Sequence, residues 1–192
     1  MAKKRRPNNR PAKSKAGKSK ASGDARSVSL VAASSGTGWV LRHPRCARDR
    51  AEDIEEVHMM IEAGELDVAQ DELRWLLSGC SDCLEAHLLL GQVGLDKDND
   101  FPLARGHFGY AYQLGLRAWK RSGEPTPVPY SQLANRSFHE SGRSLAWCLE
   151  KLGKSSMADE VVATLLKLDP TDPLECRQMI RDLRDTGSLP ML

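Results

Sequence analysis

The chain has 192 residues, 40% hydrophobic, 28% charged and only 5% aromatic, which gives room for one domain plus a tail and leans towards helix. Its net charge of +2 conceals a split: residues 1–26 hold ten Lys and Arg against one acid, or +9, and the remaining 18 basic and 25 acidic residues sum to −7. No run of about 18 uncharged apolar residues occurs and no apolar stretch follows the basic start, so neither a membrane span nor a secretory signal is expected, and the protein is expected to be cytoplasmic, or nuclear if its source is eukaryotic.

The first 38 residues read as a tail and a spacer. MAKKRRPNNRPAKSKAGKSKASGDAR has no large apolar residue after Met1 and nothing to bury, so the cost of ordering it is not offset and disorder is expected. Lys3, Lys4, Arg5, Arg6, Lys13, Lys15, Lys18 and Lys20 are placed to neutralise phosphates by counterion release, which attaches a chain to nucleic acid without reading sequence. No aromatic residue is interleaved for base stacking. The spacer SVSLVAASSGTG then leads to Trp39, Val40 and Leu41, the first cluster worth burying, and the folded domain is expected over 39–187.

From about Arg48 the apolar residues take helical spacing. Ile54, Val57, Met60 and Ile61 form one stripe ended by Gly64, and Leu66, Ala69, Leu73, Leu76 and Leu77 form a second, closed by the turn SGCSD. These make a hairpin over about 48–79. A second hairpin, about 82–116, has Leu90 and Gly91 inside its first helix, a turn DKDND, and Leu103, Ala104, Phe108, Ala111 and Tyr112 on its second helix. SGEPTPVPY is too proline-rich for helix and is expected as a surface loop. A third hairpin, about 131–169, carries Leu145, Ala146, Leu149 and Leu152, then Gly153, then Ala158, Val161, Val162, Leu165 and Leu166. Asp172 and Pro173 read as the cap and first turn of a last helix over about 172–185. An offset of 89 residues carries Gly64 onto Gly153, and Ala69, Leu73, Leu76 and Leu77 onto Ala158, Val162, Leu165 and Leu166, so the pattern is an internal repeat.

GRSLAWCLEKLGKSSMADEVVATLLKLDPTDPLE resembles a tetratricopeptide repeat, with Gly153 in the turn, Ala158 at the helix crossing and Leu165 before a Leu-Asp-Pro ending. EEVHMMIEAGELDVAQDELRWLLSGCSDCLEAH resembles it with Ser81 in place of the ending Pro, and the middle copy keeps Leu90-Gly91 but has His87 where Trp is usual. The resemblance covers about residues 48–185. It implies an all-α fold: a right-handed superhelical stack of about three hairpins with a C-terminal capping helix, and a concave face that binds other proteins. A compact helical bundle is the alternative. The implied role is a protein–protein interaction scaffold holding a partner's peptide or helix. Candidate groove residues, on the first helix of each hairpin, are His58, Gln92, Arg143, Trp147, Glu150 and Lys151, with Trp147 as the anchor. The alternative role is an adaptor associated with nucleic acid or the ribosome through the basic tail.

Five cysteines, Cys46, Cys80, Cys83, Cys148 and Cys176, are an odd number for a disulfide framework and read as thiols or metal ligands. Cys80-Ser-Asp-Cys83 with His87 one helical turn on has the bite of a zinc site, and Cys46 is the available fourth ligand. The local motif supplies three of the four ligands a closed site needs, so no metal is expected and Cys46, Cys80, Cys83 and His87 stand as the alternative set. Neighbouring acids such as Glu55 and Glu56, or Asp159 and Glu160, read as solvated helix faces. No glycine-rich phosphate loop and no nucleophile paired with a base are present, so neither enzyme activity nor a cofactor is expected.

Overall fold

A computed structural model describes residues 27–34 and 36–187. The tail residues Lys3, Lys4, Arg5, Arg6, Lys13, Lys15, Lys18 and Lys20 lie outside them. Two short strands, β1 (Ser29–Ala32) and β2 (Trp39–Arg42), precede α1 (Arg45–Arg48), α2 (Ala51–Glu62), α3 (Leu66–Gly79), α4 (Leu84–Asp98), α5 (Phe101–Arg121), α6 (Arg136–Lys151), α7 (Ser155–Leu168) and α8 (Cys176–Gly187). Helices α2 to α7 each pack on the next, and α2 also touches α4, α4 touches α6, and α6 touches α8.

Between the first and third hairpins the repeat read from the sequence is matched in the backbone. α3 and α7 each have 14 residues, and their bounds differ by the same 89 residues that relate Gly64 to Gly153. Both glycines sit at positive φ, +78° and +68°, a left-handed conformation that costs glycine little. In the first turn Glu65 N donates to Met60 O (2.9 Å) and Gly64 N to Ile61 O (3.0 Å); in the second Lys154 N donates to Leu149 O (2.8 Å) and Gly153 N to Glu150 O (2.9 Å). These bonds satisfy carbonyls that a helix end leaves without partners.

Packing follows from small residues opposite large ones. Ala69, Ala104 and Ala158 are fully buried. A Cβ on Gly91 would lie 2.5 Å from Phe108, and one on Gly115 would lie 2.3 Å from Phe138, so each ring occupies the space a side chain would need. α4 is buried on more than one side. Leu84 and Leu88 join the core formed with α5 to α8, while Ala86, Leu89, Leu90 and Val93 join the core under α2 and α3. The two cores are therefore welded through a single helix, as expected for hairpins that cannot bury their faces alone.

Several expectations are corrected. The fold is mostly helical rather than wholly so, and the ordered part begins before residue 39. β1 pairs antiparallel with β2, Leu30 opposite Leu41, and Val28, Leu30 and Leu41 enter the core. The alternation of Ser27, Val28, Ser29 and Leu30 before a Ser/Gly turn is a hairpin signal that low overall hydrophobicity obscures. The proline-rich segment 122–130 is not a surface loop throughout: Val128 is fully buried. Its backbone can be buried because partners exist, Val128 N donating to Leu168 O (2.8 Å) and Trp39 N to Pro127 O (2.9 Å). Asn135, fully buried, joins this segment to β2 by accepting from Leu41 N (2.8 Å) and donating to Trp39 O and Pro129 O (3.0 and 2.9 Å).

The turn between α4 and α5 is shorter than DKDND, because helix continues through Asp98 and left-handed Asn99 ends it, with Asp100 capping α5. α8 starts at Cys176, later than 172. Asp172 still caps it, accepting from Cys176 N (2.8 Å) and Arg177 N (3.2 Å) from outside the helix.

Candidate binding trough

One surface is bordered by α4, α6 and α8 together. Along it Gln92 of α4 and Arg143, Trp147 and Lys151 of α6 line a cleft of about 650 Å³ whose far wall is α8, with Gln178, Met179, Asp182 and Leu183. Gln92, Arg143 and Glu175 also line an adjoining depression of about 340 Å³ that reaches Glu140. Glu140 in turn borders a third depression, about 690 Å³, containing Ala47, Arg48, Ile54, His58, Cys83 and Glu85. Gln92, Arg143, Ser144 and Glu175 line both the first and the second of these, and Glu140 alone lines both the second and the third.

Side chains in the trough are held in specific ways. Trp147 is half-buried, its ring stacked on Phe101 with centroids 5.5 Å apart, and the Lys151 ammonium lies 5.9 Å from its centroid. Arg143 Nε donates to Leu174 O (3.0 Å), which fixes the guanidinium between α6 and the start of α8. Arg143 and Lys151 share the lining with the acids Asp96, Glu175 and Asp182, and Leu95, Met179 and Leu183 add apolar surface. An aromatic side chain flanked by charges of both signs can hold an apolar anchor and orient the polar groups beside it.

Four of the six groove candidates, Gln92, Arg143, Trp147 and Lys151, meet in one cleft. His58 lies in the third depression, its Nε2 3.4 Å from Glu85 Oε1. Glu150 is not in the trough. Arg184 of α8 binds both its oxygens (3.1 and 2.9 Å), and Ser155 Oγ donates to it (2.8 Å). The Arg184 guanidinium, with help from Ser155, holds the Glu150 carboxyl below the usual range, and the pairing ties α6 to α8. The α8 wall was missed because that helix reads as a cap. Its signal is two adjoining rows, polar Gln178 and Asp182 beside apolar Met179 and Leu183, spaced four apart.

The cysteines depart from expectation. Cys46 and Cys80 form a disulfide, Cα to Cα 5.6 Å, 34 residues apart, while Cys83, Cys148 and Cys176 are buried thiols. α1 carries Cys46 to the end of α3, a proximity that cysteine number alone does not encode. The set Cys46, Cys80, Cys83 and His87 does not assemble as metal ligands, because two sulfurs are bonded to each other and His87 is engaged elsewhere. Its Nδ1 lies 3.0 Å from His107 Nδ1 and its Nε2 3.0 Å from Ser81 O. Burial pushes the His87 ring down to about 4. Among the described residues no group of three or more His, Cys, Asp or Glu is placed to hold a metal ion.

Among α5, α6 and α7 lies a further cleft of about 670 Å³ lined by Arg105, Gln113, Met157, Glu160 and Lys167 together with Tyr112 and Val161. Comparison with known proteins finds no matching family model, no matching curated protein and no matching solved structure. No described helix is long and apolar enough to cross a membrane.

Proposed function

We propose that the chain is a tetratricopeptide-like interaction scaffold whose hairpins stack as a right-handed superhelix and whose trough along α2, α4, α6 and α8 holds a peptide or helix of a partner protein. The observation that carries this is the cleft bordered by α4, α6 and α8, with Trp147 in its lining, and the further depressions that lie towards α2. The matched turns at Gly64 and Gly153, and packing of each first helix on the next, support the repeat assignment. The chain acts by binding, not by catalysis, in the cytoplasm. A random peptide library displayed on phage and selected on the full chain tests it. Selected peptides should lose about 10-fold in affinity, equivalent to about 1.4 kcal/mol, on Trp147→Ala, and a similar loss on Lys151→Glu would locate the charge that orients them. Failure to select any peptide, or peptides indifferent to both changes, would count against the trough.

The charge split favours a second role. A +9 segment joined to a −7 remainder is suited to hold the scaffold on a polyanion while the trough recruits protein. On a heparin column the full chain should elute at higher salt than a chain beginning at residue 27. Equal elution would remove the tail as the source of polyanion affinity.

A further inference from the structure

Three of the five cysteines lie in α1 and in the turn from α3 to α4. Cys80 ends α3 and is bonded to Cys46 of α1, and Cys83, immediately before α4, is a buried thiol only three residues from Cys80. Cys83 N donates to Cys80 O (3.2 Å), the bond that closes a four-residue turn. Such a turn brings its end Cα atoms within about 7 Å, and a disulfide spans roughly 4.4–6.8 Å between Cα atoms. Cys83 also lines the third depression together with Ala47 and Arg48, the neighbours of Cys46. The turn thus brings the Cys83 backbone within the range from which a disulfide to Cys80 can form.

We infer that Cys46, Cys80 and Cys83 form a thiol–disulfide exchange site in which Cys80 alternates between Cys46 and Cys83, tying or releasing α1 at the wall of the trough. The Cys83 thiolate attacks Cys80 Sγ, the Cys80–Cys83 bond forms as the Cys46–Cys80 bond breaks, and the electron pair leaves on Cys46 Sγ. The proton lost by Cys83 is balanced by the one Cys46 takes up. One disulfide and one thiol are present before and after, so no oxidant or reductant is consumed. Burial pushes the Cys83 thiol up, so it rests as the thiol and attacks only after losing its proton. A protein of the cytoplasm would use such a bond as a transient element, not a permanent staple. The exchange concerns covalent connectivity and stands whether or not the trough binds peptide.

Peptide mapping tests it on the full chain, equilibrated in mixed reduced and oxidised glutathione, acid-quenched, denatured, alkylated with N-ethylmaleimide and digested with trypsin. Cys46 is released in the tripeptide Cys46–Arg48, and Cys80 and Cys83 together in Trp75–Lys97. The Cys46–Cys80 form gives these two peptides linked, with Cys83 alkylated. The exchanged form gives an alkylated tripeptide and an unlinked, unalkylated Trp75–Lys97. Both forms are expected, with each loss of alkylation at Cys83 matched by a gain at Cys46, and with the exchanged form absent from Cys83→Ser. Finding only the Cys46–Cys80 linkage would overturn the exchange. Trypsin cleavage of native protein after Arg48 is expected to be several-fold faster in Cys46→Ser, which can form only Cys80–Cys83, than in Cys83→Ser. Equal cleavage would overturn the release of α1.

Discussion

At the scale of single residues, burial sets the charge states that matter. His87, His107 and His139 all titrate below the ordinary histidine range, chiefly because burial disfavours their charged forms, and His87 falls to about 4. His139 also has its Nε2 2.8 Å from Val128 O inside the core. As pH falls through about 6.5 the unfolded chain takes protons on these rings while the folded chain does not. The unfolded state then binds more protons, and stability declines with falling pH until the folded rings titrate. The melting midpoint should therefore drop between pH 6.5 and about 4, and His87→Gln should flatten that slope relative to the unaltered chain. An unchanged slope would show that His87 is not held neutral by the fold.

At the scale of elements, the N-terminal hairpin contributes more than its length suggests. Val28, Leu30 and Leu41 are buried against the α5–α8 core, and each fully buried aliphatic side chain is worth about 1.5–3 kcal/mol. Arg121 Nη2 also donates to Val28 O (2.7 Å). A chain beginning at residue 43 should lose several kcal/mol in chemical denaturation relative to one beginning at residue 27, and equal midpoints would show that the hairpin is an ornament. Such an element is hard to read from sequence because four-residue strands carry little periodicity, and their partner, Asn135, is 94 residues from Leu41. Helices are easier. Three hairpins, two glycine turns and the burial of Ala69, Ala104 and Ala158 were legible because each repeats at a fixed spacing that helical geometry dictates. The inward turn of Val128 and the late start of α8 were not, since both depend on backbone partners supplied from distant segments.

At the scale of the whole molecule, stacking decides the candidate site. Gln92, Arg143, Trp147 and Lys151, picked from helix phase, come to line one cleft. The α8 wall depends on how the last helix docks on α6, and Glu150 is withdrawn from the trough by Arg184 arriving on that helix. Peptide binding in the trough should thus register on three helices at once. Amide chemical-shift mapping by NMR, with the tightest display-selected peptide added to the full chain, measures this most directly. The predicted result is a connected set of shifts at Gln92, Ser144, Trp147, Gln178 and Asp182, absent or weakened in Trp147→Ala. Shifts confined to Gln113, Met157, Glu160 and Lys167, on the α5–α7 side, would contradict it.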